Sequence, residues 1–333
     1  MLKIAINGFG RIGRSSFKIA LEKFPDSIEI VGINDLTDSK TLAHLLKYDS
    51  NYGIWDHNVS HDDTHIKVDD KSYEVFKEIE PQNLPWKDLN VDVVIESTGR
   101  FTNKEGASLH IQAGAKKVII SAPTKGGDVP TLVLGVNADK YGGEEIINNA
   151  SCTTNCIAPV AQVINQKFGI AKAMMTTIHA YTADQHLQDG PHKDLRRARA
   201  AATNIVPTST GAAKATTETI PALKGLFDGV AIRVPVAVGS ISDLTFLLNK
   251  KTTVEEINQV LKEASEGHLK GIMAVTSEPI VSSDIVGRSE SAIVDLGLTQ
   301  VVDGDMVKIF AWYDNEYGYS NRLIEQVIHV GKV

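Results

Sequence analysis

A chain of 333 residues with 42% apolar and 23% charged residues is long enough to bury a large core and predicts about two globular domains. Its net charge of -7 argues against general binding to nucleic acids or acidic membranes, so no dedicated nucleic-acid site is expected. Its two cysteines are too few for a disulfide framework, and no stretch reaches the ~18 apolar residues of a membrane span. Met1 leads directly into a strand pattern without signal-peptide features, which predicts a cytoplasmic protein.

The first predicted elements are those of a dinucleotide-binding unit. Residues 3–7 form an apolar strand pattern, a glycine-rich loop follows, and an amphipathic helix pattern continues to Phe24. Glycines at these places allow a tight turn and let the backbone approach a pyrophosphate at the helix N-terminus. An ordinary glycine turn is the alternative interpretation. The residues predicted to bind the dinucleotide are Gly8, Phe9, Gly10, Arg11, Ile12 and Gly13.

A carboxylate after the second predicted strand indicates which cofactor the loop would bind. Residues 28–34 form this strand, and Asp35 follows it. Asp35 lies about 20 residues beyond Gly13, the spacing at which a carboxylate hydrogen-bonds the adenosine ribose. It would repel the 2′-phosphate of NADP, and neither Leu36 nor Thr37 supplies a cation. The sequence therefore predicts NAD as the cofactor.

Two further buried strand patterns, at 91–96 and 117–120, end in polar residues. In a doubly wound parallel sheet, the carboxyl ends of the strands line the ligand crevice. Thr98 and Ser121 are therefore candidate neighbours of the cofactor, and ordinary loop residues are the alternative interpretation.

Segment 151–156, with the sequence SCTTNC, places a thiol between a strand pattern and a helix pattern. A thiol at a helix start lies near unpaired backbone N–H groups and the positive end of the helix dipole, which favour the thiolate. Because a free cysteine with a pKa near 8.5 is only about 3% thiolate at pH 7, this placement predicts that Cys152 is a reactive nucleophile. A buried structural cysteine is the alternative.

The candidate base is a histidine at the end of the next strand pattern. His179 closes the apolar run that begins at Met174. A cysteine nucleophile needs a nearby base, and His179 is placed at a strand end where it can serve as one. A surface or core histidine without a chemical role is the alternative.

The long segment 183–207 has no uninterrupted apolar period, and loops of this length are usually functional or disordered. Its basic cluster consists of Lys193, Arg196, Arg197 and Arg199. The cluster is either an anion site or a solvated charged turn. Arg233 stands within a later apolar strand pattern and needs a partner there, for which a phosphate or a carboxylate such as Asp243 would serve.

The remaining chain alternates strand patterns with a helix whose capping box begins at Thr253, which predicts a mainly antiparallel α+β domain. Asn315 follows the last strand pattern, and a final amphipathic helix pattern covers 321–329. The expected fold class is therefore α/β, with a Rossmann doubly wound parallel sheet and a second α+β domain with a mainly antiparallel sheet.

Over essentially its full length, the chain resembles the phosphorylating, NAD-dependent glyceraldehyde-3-phosphate dehydrogenases. The stretches that carry the resemblance are 7–13, 150–156, 207–214 and 312–316. It implies an NAD-binding Rossmann domain over 1–150, on which the C-terminal helix 317–333 packs back, and a catalytic domain over 151–316. It also implies a homotetramer. Residues 180–207 are then the S-loop, which in this family reaches the cofactor of a neighbouring subunit.

The resemblance also implies a role for each candidate residue. Cys152 resembles the nucleophile and His179 its base. Thr182 and Arg233 match the site of the substrate phosphate. The positions that match the inorganic-phosphate site are Ser151, Thr153, Thr210 and Gly211, with Arg197 between the two sites. Asn315 resembles the residue that hydrogen-bonds the nicotinamide carboxamide.

The implied activity is the oxidation of D-glyceraldehyde 3-phosphate, with NAD and inorganic phosphate, to 1,3-bisphosphoglycerate through a hemithioacetal and a thioester of the cysteine. No metal site is expected. Erythrose-4-phosphate dehydrogenase, which shares the cysteine chemistry but favours water over phosphate, is the alternative within the enzyme class. A nucleotide- or RNA-binding protein that has kept the fold and lost catalysis is the alternative outside it.

Overall fold

The structure is a computed structural model that describes residues 1–124, 126 and 129–332. The chain forms two compact units, each built on one large sheet. Unit 1 comprises Met1–Leu132, Lys140–Ala150 and Ser320–Val333, and unit 2 comprises Val133–Asp139 and Ser151–Tyr319.

The strands and α-helices of unit 1 that precede residue 150 alternate at first, and after α2 a run of strands follows before α3. They are β1 (Leu2–Asn7), α1 (Arg11–Lys23), β2 (Ile28–Asn34), α2 (Ser39–Lys47), β3 (Tyr48–Asp49), β4 (Gly53–Ile54), β5 (Val59–His61), β6 (His65–Val68), β7 (Lys71–Phe76), β8 (Val93–Glu96), α3 (Lys104–Gln112), β9 (Lys117–Ile120) and β10 (Ile146–Asn148).

The large sheet of unit 1 has the strand order β10-β9-β8-β1-β2-β7-β6-β5. Neighbours from β10 to β7 pair in parallel, and β6 and β5 continue the sheet as antiparallel strands. The central strands are buried on both faces, as Ile4, Ile6 and Val94 show, which explains why they read as continuous apolar runs. The strand order reverses between β1 and β8, so the loops after these strands open at the same edge. The predicted doubly wound parallel sheet is confirmed.

The elements of the rest of the chain begin with the cysteine helix. They are α4 (Cys152–Phe168), β11 (Ile170–Ala180), β12 (Val206–Ser209), α5 (Ala212–Thr219), β13 (Phe227–Val234), β14 (Ser240–Leu248), α6 (Val254–Glu266), β15 (Met273–Thr276), β16 (Ala292–Asp295), β17 (Gln300–Val302), β18 (Met306–Tyr313) and α7 (Tyr317–Gly331).

The sheet of unit 2 has the order β12-β13-β11-β14-β18-β16-β15, with β17 also paired to β18. Only the β11–β13 and β15–β16 pairs are parallel, so the predicted mainly antiparallel sheet is confirmed. Helix α4 packs against β14, β16 and β18, and its side chains Ile157, Val160 and Ile164 are fully buried. This packing fixes the helix that begins with Cys152.

Helix α7 begins in unit 2, and its residues from Ser320 onward belong to unit 1. Two lysines of unit 1 bond to it: Lys23 Nζ donates to Asn321 Oδ1 at 2.8 Å, and Lys117 Nζ donates to the Val330 carbonyl at 2.7 Å. Among the helices of the described residues, none is both long and apolar enough to cross a membrane.

Candidate active site and cofactor site

The glycine loop of residues 8–13 joins β1 to α1, and its backbone leaves no room for side chains at two positions. Gly8 has φ +93°, and a Cβ there would lie 2.7 Å from the Thr98 nitrogen. A Cβ on Gly13 would lie 2.2 Å from the Gly8 carbonyl oxygen. Both glycines are therefore required for the close approach of β1, β8 and α1.

Gly10 lies at the open side of the same loop. A Cβ on Gly10 would meet no described atom within 4 Å, and Gly10 precedes α1 without a side chain that could cap it. The first N–H groups of α1 have no intrahelical acceptor, and here they are not covered by a side chain of the capping residue. This arrangement fits the pyrophosphate of a dinucleotide.

Asp35 follows β2 and is held beside the glycine loop. Its Oδ2 accepts from the Phe9 N–H at 2.8 Å, and its Oδ1 accepts from the Thr37 N–H at 2.9 Å. Asp35, Gly8, Gly10 and Thr98 line one cleft of unit 1. The other residues that line this cleft are Asn7, Asn34, Leu36, Glu78, Ile79, Ser97, Arg100 and Phe101.

Three other residues predicted to contact the cofactor occupy different surroundings. The Phe9 ring is buried and packs edge-on against Phe17, with ring centroids 5.4 Å apart, so only its backbone is available to a ligand. The Arg11 guanidinium forms an ion pair with Asp49 at 2.7 Å. Ser121 follows β9, where its N–H donates to the Glu96 carbonyl, and it is not among the described residues that line the cleft.

In unit 2, the structure brings the predicted nucleophile and base together. Ser151 caps α4, because its Oγ accepts from the Thr154 N–H at 3.0 Å, and Cys152 is the first residue of the helix. The Cys152 Sγ lies 3.4 Å from His179 Nε2. His179 Nδ1 lies 2.6 Å from the Ala180 carbonyl oxygen, which can only accept, and 3.2 Å from Arg233 Nη1, which can only donate. The shorter contact assigns the proton of the neutral ring to Nδ1. The Nε2 lone pair therefore faces the thiol.

The electrostatic surroundings of this pair differ from the sequence prediction. Burial raises the pKa of the Cys152 thiol, and the lowering by the Arg233 guanidinium does not outweigh it. Burial lowers the pKa of His179 to about 3, and the charges of Arg233 and Arg197 act in the same direction. The helix start was predicted to favour the thiolate, but desolvation of the sulfur opposes it. The substrate-free pair is thus a thiol beside a neutral imidazole.

Arg233 lies on β13 directly beside His179 of β11, because the two residues pair in the parallel register. Its Nη1 donates to the Ala180 carbonyl at 3.0 Å and to Thr182 Oγ1 at 3.2 Å, and its Nε has no hydrogen-bond partner among the described residues. The carboxylate considered as its partner, Asp243, pairs instead with Lys308 at 2.8 Å. Arg233 is therefore a partly buried cation held by neutral oxygens, which fits an anion site.

Two members of the basic cluster in the long segment, Arg197 and Arg199, form ion pairs with carboxylates. Arg197 Nη1 forms an ion pair with Asp184 at 2.5 Å, and its Nε donates to Thr208 Oγ1 at 3.0 Å. Arg199 Nε pairs with Asp189 at 2.7 Å. For Arg199 this matches the interpretation as a charged turn. Arg197 is less exposed and its bonds hold it in place.

Thr210 and Gly211 form the start of α5. Thr210 Oγ1 accepts from the Ala212 N–H at 3.2 Å, and a Cβ on Gly211 would meet no described atom within 4 Å. The start of this short helix is thus open to solvent.

Asn315 lies two residues after the end of β18, and its side chain is oriented by two bonds. Its Oδ1 accepts from the Gly239 N–H at 3.1 Å and from Ser240 Oγ at 3.0 Å. Because both donors occupy the oxygen, the Nδ2 group is left to donate to a ligand.

Sequence reasoning missed the residues that support the catalytic pair. Tyr313 Oη lies 2.8 Å from Thr153 Oγ1 and 2.7 Å from Thr177 Oγ1, and the Tyr313 side chain is buried. A signal existed for Thr177, since residues two apart on a strand share a face and Thr177 precedes His179 by two. Nothing in the local pattern identifies Tyr313 as their common partner.

Comparison with known proteins matches both halves of the chain. The family model of the glyceraldehyde 3-phosphate dehydrogenase NAD binding domain matches residues 2–104, and that of the C-terminal domain matches residues 151–315. The glyceraldehyde-3-phosphate dehydrogenase 2 of Streptomyces avermitilis is 55% identical over 332 residues, covering 99% of this chain and 98% of that protein. The glyceraldehyde-3-phosphate dehydrogenases of Geobacillus stearothermophilus and Mycolicibacterium smegmatis are 54% and 57% identical, each over 99% of this chain and over 98% and 99% of their own lengths. The chain belongs to the glyceraldehyde-3-phosphate dehydrogenase family.

Proposed function

We propose that the protein is an NAD-dependent, phosphorylating glyceraldehyde-3-phosphate dehydrogenase, which converts D-glyceraldehyde 3-phosphate and inorganic phosphate to 1,3-bisphosphoglycerate. The observation that carries this proposal is the set of Cys152, His179 and Arg233, in which a thiol, a base and an anion-binding cation are adjacent. The names of the relatives favour this activity over erythrose-4-phosphate dehydrogenase and over a non-catalytic binding protein. The NAD-binding domain is 1–150 with helix 317–333, and the catalytic domain is 151–316.

The first chemical step is attack of the Cys152 sulfur on the aldehyde carbon, with His179 Nε2 accepting the thiol proton. The phosphate of the substrate binds to Arg233 and Thr182. Its negative charge offsets the guanidinium charge that lowers the pKa of His179, so substrate binding favours the proton transfer. The product of this step is a hemithioacetal, and the protonated imidazole stabilises its oxyanion.

The glycine loop, Asp35 and Thr98 would hold NAD, for which the N–H groups of α1 are the donors to the pyrophosphate and Asp35 is the acceptor from the ribose. The resemblance implies Ser121 and the Asn315 amide donor as further contacts, although Ser121 does not line the cleft of unit 1. The chemistry that NAD would supply is acceptance of the hydride from the hemithioacetal carbon, and loss of that hydride leaves a thioester on Cys152.

A second anion site is needed to release the acyl group. Ser151, Thr153, Thr210 and Gly211 supply hydroxyl and backbone donors for inorganic phosphate, with Arg197 between the two sites. A phosphate oxygen attacks the thioester carbon, the C–S bond breaks, and the sulfur leaves as a thiolate that His179 reprotonates.

Replacing Asp35 by asparagine is expected to raise the KM for NAD and to reduce the preference for NAD over NADP by about 10- to 100-fold. The change removes a charge-assisted hydrogen bond to the ribose, of about 1.5–3 kcal/mol, and a like charge that repels the 2′-phosphate. Steady-state kinetics with both cofactors measure the effect. Asp38→Asn is the matched control, since Asp38 caps α2 and asparagine caps equally well. A wild-type enzyme that used NADP as efficiently as NAD would contradict this role.

The proposed function is tested by NADH formation from glyceraldehyde 3-phosphate, with and without inorganic phosphate. We expect turnover that requires phosphate, because the thioester needs an acceptor. Faster turnover of erythrose 4-phosphate without a need for phosphate would support the alternative dehydrogenase. Failure to oxidise either aldehyde would support a non-catalytic binding protein.

The protein is also expected to be a cytoplasmic homotetramer. The support for oligomer formation lies in the S-loop, residues 180–207, where Leu187, Leu195 and Ile205 are 83%, 81% and 70% exposed. Exposed apolar groups of this kind on one segment are typical of a surface that another subunit covers.

A further inference from the structure

A fully buried carboxylate lies directly behind the cofactor cleft of unit 1. Glu96 is the last residue of β8, and its side chain has no exposed surface. Its Oε1 accepts from the Thr98 N–H at 2.9 Å and from the Thr98 hydroxyl. Its Oε2 lies within hydrogen-bond distance of Asn7 Nδ2 and, at 3.0 Å, of His110 Nε2. None of the ion pairs in the described part of the chain joins Glu96 to a lysine or an arginine.

On one side of Glu96, a tryptophan determines which histidine nitrogen carries the proton. The Trp86 indole N–H, which can only donate, bonds to His110 Nδ1 at 2.9 Å. Nδ1 is therefore the acceptor, and Nε2 of the neutral ring carries the proton and donates to Glu96. Trp86 and His110 are both fully buried, so no solvent competes for these bonds.

On the other side, a backbone segment determines the orientation of two amides. The Glu78 N–H donates to Asn34 Oδ1 at 2.9 Å, and the Glu78 carbonyl accepts from Asn34 Nδ2 at 2.9 Å. Asn34 Nδ2 also donates to Asn7 Oδ1 at 2.7 Å. This turns the Asn7 amide group toward Glu96. The Asn7 amide, His110 Nε2–H and both donors of Thr98 thus meet the Glu96 side chain, and a carboxylate, which only accepts, satisfies all of them.

Two of the residues that Glu96 hydrogen-bonds, Asn7 and Thr98, line the cofactor cleft, whereas Glu96 itself does not line it. Asn7, Asn34 and Thr98 are among the lining residues; Trp86, Glu96 and His110 are not. Asn7 ends β1 and Thr98 follows β8, so the carboxylate ties together the two strands between which the strand order reverses. We infer that Glu96 is a positioning residue for NAD, acting through Asn7 and Thr98. This inference rests on the proposed NAD-dependent function.

The variant that tests this inference is Glu96→Gln, which keeps the shape and exchanges one oxygen for an NH₂ group. In one orientation that NH₂ group replaces the acceptor of the Thr98 N–H, and in the other it replaces the acceptor of Asn7 Nδ2 and His110 Nε2, so donors lose their acceptor in either case. We therefore expect the cleft walls to shift and the Kd for NAD, measured by calorimetric titration without substrate, to rise about tenfold or more. The KM for NAD should rise in parallel, while kcat at saturating NAD stays within a few-fold of wild type.

A carboxylate at the other end of the same strand offers a matched control. Asp92 directly precedes β8 and accepts from the Lys3 N–H and from Lys116 Nζ. Asp92→Asn removes a charge from the same strand but from outside the cleft. Its Kd for NAD should equal that of the wild type.

A double substitution supplies the rescue. In Asn7→Asp combined with Glu96→Gln, the carboxylate moves to position 7, where it can accept from Asn34, His110 and the new glutamine NH₂ group. The glutamine oxygen can then accept both bonds from Thr98. Every donor regains an acceptor, so we expect the Kd for NAD to return to within about threefold of wild type.

The outcomes separate this inference from the proposed function. A wild-type chain that bound no NAD would overturn the proposed function and this inference together. Wild-type binding with an unchanged Kd in a folded Glu96→Gln variant would overturn this inference alone, as would failure of the double substitution to restore binding.

If Glu96→Gln does not fold, Trp86→Phe is the second variant, which removes the indole donor behind the cleft. The Kd should then rise about threefold, and a wild-type Kd in the folded variant would again overturn the inference.

Discussion

Replacing Cys152 by serine is expected to lower kcat for NADH formation about 10⁴-fold or more, the order of loss that follows removal of a catalytic nucleophile. The serine hydroxyl is far harder to deprotonate than a thiol, and His179, whose pKa is about 3 in the substrate-free protein, is too weak a base to compensate. Steady-state kinetics and a rapid-mixing measurement of the first turnover detect the loss. Binding of NAD should be retained.

The second cysteine provides the control for this substitution. Cys156 lies one helical turn along α4, fully buried, with its Sγ 3.7 Å from the Ala311 carbonyl oxygen. Burial strongly raises the pKa of this thiol, so it is not nucleophilic at neutral pH. Cys156→Ala should therefore keep most of the activity. A loss as deep as that of Cys152→Ser would contradict the division of roles between the two thiols.

Replacing His179 by asparagine is expected to lower kcat/KM about 10²- to 10⁴-fold, the range for loss of a general base. Asparagine cannot accept the thiol proton at the position of Nε2. Alkylation of Cys152 by iodoacetamide at pH 7 should slow as well, and its pH dependence in the variant reports what the helix start alone contributes to the thiolate. An unchanged alkylation rate together with unchanged kcat/KM would show that another group takes the proton.

The same variant should alter how stability depends on pH. The pKa of His179 is about 3 in the folded chain and about 6.5 in an unfolded one. Between these values the unfolded chain binds a proton that the folded chain does not. The free energy of unfolding therefore rises with pH over this range. The contribution of the neutral His179 is fully present above about pH 6.5 and is lost as the pH falls toward 3. In His179→Asn, denaturant unfolding should show a shallower fall over this window. An identical fall in both proteins would contradict the low pKa.

The sequence predicts the groups whose placement follows from strand ends and helix starts. Gly8, Gly10 and Asp35 meet in one cleft because each follows a parallel strand whose carboxyl end opens at the same edge of the sheet. Cys152 and His179 meet because one begins the cysteine helix and the other ends the next strand. Residue type, spacing and periodicity are sufficient for such predictions.

Other features depend on pairing between distant strands, which local patterns do not report. Asp243 was a reasonable partner for Arg233, but β14 pairs with β18 in a register that gives Asp243 to Lys308. The pKa of Cys152 is raised rather than lowered because the thiol is buried, and the position of the residue at a helix start does not report burial. The network around Glu96 joins residues far apart in sequence, from Asn7 to His110, so no single motif contains it.

The position of the Tyr313 hydroxyl has a consequence for the entropy of the reaction. By bonding both Thr153 and Thr177, it links the first turn of α4 to the face of β11 that carries His179. The elements that carry the sulfur and the imidazole are therefore linked to each other. The 3.4 Å separation of Cys152 Sγ and His179 Nε2 exists before substrate binds. Little rotational freedom of these side chains remains to be lost on the way to the transition state, so binding energy from the substrate is left for the reacting carbon itself.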